Sequence, residues 1–562
     1  MSMQGKWWTL LAVCTGTFML LLDVTIVVVA LPDIQRGLHA GFGDVQWVVD
    51  AYALALASVL LTSGVLADRY GRRRLFSIGL VVFSLGSLLC GVAQSPLMLT
   101  LSRAGQGVGG AVMFATSLAL LGHSFRGRDR GVAFGLWGAI TGAAVSLGPI
   151  LGGVITTWFS WRGIFLVNVP IGAAALAVTR WRVEESRAAR PGALDPAGFA
   201  LLTAGLVGLV YGLIRAGETS WSDAGTLVSL SAGGALLGCF VFVELLVARP
   251  MFDLRLFRKP TFVGGLAAAF AMNGSLFAVQ LYLVLYLQNV LGYSALATGA
   301  RLLVSSGSVL VASTIAGRLS ERVPVRWLIG PGLLAVGLGL VLMTGLGAGS
   351  SWTHLIAGFV VSGVGAGFVN PPLASTAIGV VEPERAGMAS GINTTFRQVG
   401  IATSIAALGS IFTTSLRNEL THALASIPPL AGRADRLVTA IRQGQGQGQG
   451  QGSNGGGPFA SVPPAMRGAV QTAVRSSFTG ALNNLLMVTA ILAFAGGLLA
   501  LLLIRGKDFV AREGVQRDEG KQGAKDRQSA SVDGGKGGAP GGTRLAADRA
   551  RAAHLGAEGL DP

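Results

Sequence analysis

Charged side chains are scarce in this sequence: they make up 12% of 562 residues, whereas a soluble protein carries about 25%. Hydrophobic residues make up 51%, and the mean hydropathy is +0.60. So few charges cannot coat soluble domains, which excludes soluble enzymes and fibrous proteins. The sequence therefore predicts an all-α integral membrane protein, with lipid as the solvent for most of its surface.

Cysteine and histidine are also rare, with three and five residues respectively. Cys14, Cys90 and Cys239 lie in separate apolar runs, without the spacing of a disulfide framework or a metal site. The histidines are scattered, and neither HExxH nor the nucleotide-binding pattern GxxxxGK[ST] occurs. We therefore expect no catalytic residue, metal or cofactor, and the protein is not expected to be an enzyme.

The net charge of +16 could suggest nucleic acid, so its location decides its meaning. From Glu513 onward the chain is neutral, with eight basic and eight acidic residues. The excess belongs to short, alternate loops between apolar runs, which is the pattern that orients a membrane protein. A nucleic-acid partner is not expected, and both termini are predicted to be cytoplasmic. The arginines of two of these loops are Arg69, Arg72, Arg73, Arg74, Arg126, Arg128 and Arg130.

Apolar runs of roughly 20 residues predict about fourteen membrane spans. An internal repeat divides them, because GVLADRYGRRR after the second span has a weaker copy, GRLSERVPVR, after the tenth, with Gly64 opposite Gly317. The predicted halves are parallel six-helix repeats. The predicted regions are 1–190 (N-terminal half), 191–259 (two inserted helices), 260–505 (C-terminal half), 414–479 (a long external loop within that half) and 506–562 (a disordered cytoplasmic tail).

Four motifs carry a family resemblance. LDVTIVVVALP, GVLADRYGRRRL, RAGQGVGGAV and LGPILGG resemble the motifs of the fourteen-span drug:proton antiporters of the major facilitator superfamily. The resemblance implies the major facilitator fold and proton-coupled export of an amphipathic drug or antibiotic by alternating access. It also implies a monomer in the cytoplasmic membrane of a bacterial cell.

Two other functions stay open. An importer of the same fold, such as a proton symporter for a nutrient, is disfavoured by LGPILGG, which is more specific to exporters. A membrane-anchored sensor would need an extramembrane domain. The only candidates are the external loop, with its Gln-Gly repeat from Gln443 to Gly452, and the tail. Both are too low in complexity to build one.

Three residues are predicted to couple transport to protons. Asp23, Asp50 and Arg103 lie at similar depth in three apolar runs, and carboxylates inside a membrane are functional candidates by default. Movement of Arg103 relative to either aspartate would change that group's affinity for a proton. The resemblance supports Asp23 and Arg103, whereas Asp50 rests on depth alone. The alternative is a static ion pair that joins helices.

The loop motif is predicted to form a cytoplasmic latch. The resemblance implies that Asp68 and Arg72 form ion pairs that hold the outward-facing state. The alternative is that the arginines only orient the protein. The predicted latch residues are Gly64, Asp68, Arg69, Gly71, Arg72 and Arg73.

The fifth span contains small residues at four-residue spacing, which lets helix backbones approach closely, and a proline that bends the helix. The resemblance implies a bend that closes the cavity toward the cytoplasm, and ordinary tight packing is the alternative. The residues of this antiporter motif are Gly138, Gly142, Gly148, Pro149 and Gly152.

Polar and aromatic residues near mid-membrane are candidates for a substrate cavity. Arg397 would bind an anionic group of the substrate or pair with a carboxylate. The candidates are Trp137, Asn393, Arg397 and Gln398.

Overall fold

The computed structural model describes residues 3–125, 127–187, 195–247, 250, 253–320, 322–381, 386–425 and 466–509. Long helices dominate these residues. They are α1 (Met3–Leu38), α2 (Phe42–Tyr70), α3 (Arg72–Gly91), α4 (Pro96–Ser124), α5 (Gly127–Trp158), α6 (Gly163–Arg182, interrupted at Val167), α7 (Pro196–Glu218), α8 (Ala224–Leu246), α9 (Pro260–Leu285), α10 (Ala295–Leu319), α11 (Arg326–Leu342), α12 (Ile356–Gly379), α13 (Ala386–Ala425) and α14 (Arg467–Leu503).

Most of these helices match predicted spans. In the described residues, eleven are long and apolar enough to cross a membrane, and the two parts of α2, bent by 50°, would form a twelfth. Shorter apolar helices, Leu147–Trp158 and Arg326–Leu342, lie in α5 and α11. The all-helical membrane fold is confirmed, and the exact count of fourteen spans stays a prediction.

Local signals fix several helix starts. Ser95 and Asp195 each precede a proline and accept a hydrogen bond from a backbone N–H three residues later, at 3.2 Å and 2.8 Å. A side-chain acceptor satisfies an otherwise unpaired helix donor, and proline suits the first helical position. Ser-Pro and Asp-Pro pairs therefore begin α4 and α7.

The predicted external loop at 414–479 is too long at both ends. Helix α13 continues to Ala425 and α14 begins at Arg467, so 414–425 and 467–479 are helical. Leu416, Leu420 and Leu424 recur every four residues and are buried. This extension is amphipathic and not continuously apolar, so the apolar runs of the sequence do not reveal it. The repeat from Gln443 to Gly452 lies outside the described residues.

The predicted disordered tail begins too early. Gly506–Asp508 forms a short 3₁₀ helix, and the Asp508 carboxylate accepts a 2.7 Å hydrogen bond from the hydroxyl of Thr261, at the start of α9. This hydrogen bond lowers the pKa of Asp508 because it stabilises the charged form. The remaining tail residues, 510–562, lie outside the described residues.

Helices of the first half pack directly on those of the second: α5 contacts α10, and α2 contacts α13. On the side of the molecule where α1 begins, Lys6 pairs with Asp129 of α5 at 2.6 Å and Arg182 of α6 lies over Trp8. We call this the arginine-rich side, because it also holds the Arg72–Arg74 turn.

Candidate functional site

A buried ion pair lies at the centre of the first half. Arg103 of α4 donates from Nη1 to Oδ2 of Asp23, on α1, at 2.5 Å, and both side chains are almost fully buried. Arg103 Nε also donates to the carbonyl of Val48 on α2 at 3.1 Å. Two of the three predicted proton-coupling residues therefore meet in one contact.

The other oxygen of Asp23 is bound by two amides. Gln106 and Asn168 donate to Oδ1 at 2.8 Å and 3.0 Å, and both also reach the Ser87 hydroxyl. The network thus joins α1, α3, α4 and α6. Sequence reasoning missed all three residues, although Gln106 lies one turn after Arg103 within RAGQGVGGAV.

Asp50 lies apart from this network. Its side chain is fully buried in α2, and neither carboxyl oxygen has a hydrogen-bond partner among the described residues. In this conformation Arg103 pairs with Asp23, and the proton-coupling roles of Asp23, Asp50 and Arg103 stay predictions. An unpaired buried carboxylate is costly when charged. The surroundings of Asp50 therefore disfavour the charged form, whereas Asp23 has donors for both of its oxygens.

A small central cavity lies beside the ion pair. Its volume is about 20 Å³, room for about one water. Arg103 is one of its lining residues, and its guanidinium lies 4.2 Å from the centre of the Tyr52 ring, a cation–π distance. Both halves contribute to the lining, which comprises Val24, Val27, Val28, Val49, Tyr52, Ala53, Arg103, Phe277, Leu281, Gln398, Ile401 and Ile405.

Of the four predicted substrate-cavity residues, Gln398 alone lines this cavity. Arg397 donates to Asn370 Oδ1 at 2.5 Å, and Trp137 donates to the hydroxyl of Thr17 at 3.1 Å. The amide nitrogen of Asn393 is buried without a partner in the described residues. The substrate role of these four residues stays a prediction.

The predicted latch contains an ion pair within the first half. Arg72, the first residue of α3, donates from Nε and Nη2 to Oδ1 of Asp68, near the end of α2, at 3.0 Å and 2.8 Å. Between them, Gly71 has φ = +115°, a conformation that favours glycine. Arg69 lies over the Tyr70 ring, Arg73 donates to the Val183 carbonyl, and Gly64 faces open space.

Glu185 completes this turn and was missed by sequence reasoning. Its carboxylate accepts hydrogen bonds from the backbone N–H groups of Arg73 and Arg74 at 3.0 Å and 3.2 Å. A carboxylate at a helix N-terminus satisfies free donors and suits the helix dipole. Because Glu185 lies 111 residues beyond Arg74, no local sequence pattern predicts this contact.

The antiporter motif brings α5 against helices of both halves. A Cβ at Gly148 would lie 1.9 Å from the Thr25 hydroxyl of α1, and one at Gly299 of α10 would lie 2.1 Å from the Pro149 carbonyl. A Cβ at Gly152 would lie 2.9 Å from the carbonyl oxygen of Ile26. Gly138 and Gly142 are within α5. Small residues at these positions allow backbones to touch.

On the side opposite the arginine-rich side, hydrogen bonds join the two halves. Gln46, near the start of α2, donates to the Tyr282 hydroxyl at 3.1 Å and to the Ile405 carbonyl at 3.5 Å. Gln288 donates to the Val29 carbonyl at 2.8 Å. We call these contacts the polar gate.

Several known proteins are similar to this chain in sequence. The chain is 37% identical to the multidrug resistance protein Stp of Mycobacterium tuberculosis over 72% of this chain and 75% of that protein. It is 35% identical to the puromycin resistance protein pur8 of Streptomyces alboniger, over 73% and 82% respectively. It is 31% identical to the tetracenomycin C resistance and export protein of Streptomyces glaucescens, over 89% and 92%.

A solved structure shares the fold. It is a crystal structure of a bacterial homologue of the human lysosomal transporter Spinster, in an inward-facing and unoccupied conformation. The TM-score is 0.57 at 17% identity, over 91% of this chain and 100% of that one. The sequence model that describes the Major Facilitator Superfamily matches residues 13–405. This chain, a multi-span membrane transporter, is therefore a member of the Major Facilitator Superfamily.

Proposed function

We propose that this transporter is a proton-coupled antiporter that exports amphipathic drugs or an antibiotic. Relatives over most of the chain are named for drug resistance and antibiotic export. The observation that carries the proposal is that Arg103 pairs with Asp23 and also lines the central cavity. One side chain thus connects a proton-binding group to the place where a substrate would lie.

Asp23 is the proposed proton carrier. Its carboxylate receives three donors, Arg103, Gln106 and Asn168, which stabilise the charged form in this conformation. Arrival of a proton would end the attraction to Arg103 and free its guanidinium to turn toward the cavity. The turned guanidinium would displace the substrate, so the proton and the substrate could not be bound at the same time, as exchange requires.

Asp50 is the proposed second proton site. With no partner for its carboxyl group in the described residues, the neutral acid is the form that its surroundings tolerate. A movement of α2 that brought a donor or water to Asp50 would release its proton. Gln46, one turn earlier on the same helix, belongs to the polar gate, so the state of the gate and the protonation of Asp50 would be linked.

The arginine-rich side is proposed to face the cytoplasm of a bacterial cell, with both termini there and the monomer as the working unit. The polar gate then lies on the external side, and its closure represents an inward-facing or occluded state. The Asp68–Arg72 pair would steady the turn between α2 and α3 during the change of state. The contact of Pro149 with Gly299 would be remade in each cycle.

The test uses inverted membrane vesicles with an imposed proton gradient. Export appears as drug accumulation inside the vesicles, and a proton ionophore should abolish it. Asp50→Asn should reduce the dependence on the gradient, whereas Asp129→Asn, a surface change outside the site, should not. Drug accumulation that continues unchanged after the ionophore is added would refute proton coupling. Loss of substrate from the vesicles, driven by the proton gradient, would indicate an importer.

A further inference from the structure

A second concave site lies away from the central cavity, between α3 and α6 on the arginine-rich side. Its volume is about 520 Å³. We call it the α3–α6 groove. Its lining residues are Arg73, Arg74, Ser77, Ile78, Val81, Val82, Leu176 and Arg180.

One end of the α3–α6 groove is strongly positive. Arg73 and Arg74 lie in the first turn of α3, and Arg180 lies in the last turn of α6. Arg74 forms an ion pair with Glu185 at 3.8 Å, and this one carboxylate also accepts hydrogen bonds from two backbone N–H groups. Arg73 and Arg180 form no ion pair in the described part of the chain. The cluster therefore retains positive charge for an anionic ligand.

The rest of the α3–α6 groove is apolar. Ile78 and Val81 are 52% and 38% exposed on α3, and Leu176 faces them from α6. Both helices are long and apolar enough to cross a membrane. The groove thus has guanidinium groups at the membrane boundary and a hydrocarbon surface that leads toward its middle.

We propose that the α3–α6 groove binds an anionic phospholipid of the cytoplasmic leaflet. The phosphate would lie among Arg73, Arg74 and Arg180, and an acyl chain would follow Ile78, Val81 and Leu176. Basic pockets between membrane helices on this side suit anionic headgroups. A zwitterionic headgroup would bring its own cation toward three arginines. This inference rests on the proposed orientation of the protein.

The bound headgroup would also affect the turn at Gly71. Arg73 and Arg74 follow this turn directly, and Arg72 pairs with Asp68. A phosphate on the two arginines would hold the first turn of α3 in place together with Glu185. Lipid composition would thereby influence the proposed latch.

The experiment counts lipids on the purified full-length protein by native mass spectrometry, without drug or proton gradient, so that it is independent of transport. Phosphatidylglycerol and phosphatidylcholine with identical chains are compared. We expect preferential binding of phosphatidylglycerol. The triple variant R73Q/R74Q/R180Q should weaken this binding roughly 100-fold, from roughly fivefold per arginine. The matched variant R255Q/R258Q/R318Q removes equal charge elsewhere and should retain it.

A second variant keeps every arginine. Val81→Trp would fill the apolar part and should also weaken phosphatidylglycerol binding, and it covers the case in which the triple variant fails to fold. Soluble glycerol phosphate tests whether the groove recognises the phosphate alone or the whole lipid. At equal concentration, it should not compete with phosphatidylglycerol for binding. The proposal would be overturned if both lipids bound equally or if both triple variants lost binding equally. It would also be overturned if Val81→Trp left binding unchanged or if glycerol phosphate competed fully.

Discussion

The two halves of the transporter follow one plan but differ in buried charge. The first half contains Asp23, Asp50 and Arg103, all almost fully buried. At the repeat offset that separates Gly64 from Gly317, Leu276 and Leu303 stand in place of the two aspartates. The proposed proton chemistry would therefore belong to the first half, while the second half completes the cavity and the polar gate.

The two halves also differ in the turn that joins their second and third helices. In the first half, Gly71 has a positive φ and Glu185 caps α3. At the aligned positions of the second half, Pro324 replaces Gly71, and α11 begins without a side-chain cap. One topological turn is therefore built by a glycine and a distant carboxylate in one half, and by proline in the other.

The largest effect is expected at Asp23. Asp23→Asn should reduce proton-driven drug accumulation in inverted vesicles to background, because an amide cannot carry the proton. It also leaves Arg103 buried without its counter-ion, at a cost of about 3–5 kcal/mol. The double variant Asp23→Asn, Arg103→Gln removes both charges, so it should recover thermal stability and remain inactive. Normal transport by a well-expressed Asp23→Asn protein would place proton chemistry elsewhere.

A smaller effect is expected at Asp68. Asp68→Asn weakens a partly exposed ion pair worth about 1 kcal/mol, so turnover should fall roughly fivefold, with little change in the drug concentration that gives half-maximal rate. Glu321→Gln, at the aligned position of the second half, is the matched control and should leave the rate near normal. Equal effects of both changes would remove the distinction between the two turns.

Gly71 tests the backbone of the first turn. Gly71→Ala places a Cβ 2.7 Å from the Glu185 carboxyl carbon at φ = +115°, and such strain costs about 1–3 kcal/mol. The melting temperature of the purified protein should fall accordingly. Pro324→Ala, in the second half, should change it less. An unchanged melting temperature in Gly71→Ala would mean that the first turn relaxes without cost.

The smallest effect is expected in the predicted external loop. Deletion of Gln443–Gly457 removes the Gln-Gly repeat, which offers no apolar side chain for packing, and the closure entropy of a loop changes slowly with its length. Drug accumulation should stay within about twofold of the parent protein. A scrambled segment of equal composition provides the control. Lost transport in a correctly inserted deletion variant would assign the loop a role in substrate capture.

Much of the fold could be predicted because apolar runs and Ser-Pro or Asp-Pro starts are local signals. The extension of α13 to Ala425 was missed because its stripe of leucines is amphipathic. The exact number of spans stays a prediction, and so do the roles of the site residues.

The site was predictable where a charge stood alone in an apolar run. Asp23 and Arg103 were found this way, and the structure pairs them. Asn168 and Glu185 were missed because their partners are distant in sequence. Asp50 shows the limit of depth arguments, since equal depth does not decide which way a side chain faces.

The polar gate has a consequence for how such a transporter can diversify. Two of its acceptors are the backbone carbonyls of Ile405 and Val29. Every residue has a backbone carbonyl. These two hydrogen bonds of the gate therefore do not depend on which side chains stand at positions 29 and 405. Ile405 also lines the central cavity. A mutation of Ile405 that reshapes the proposed substrate site would therefore need no compensating change at the gate.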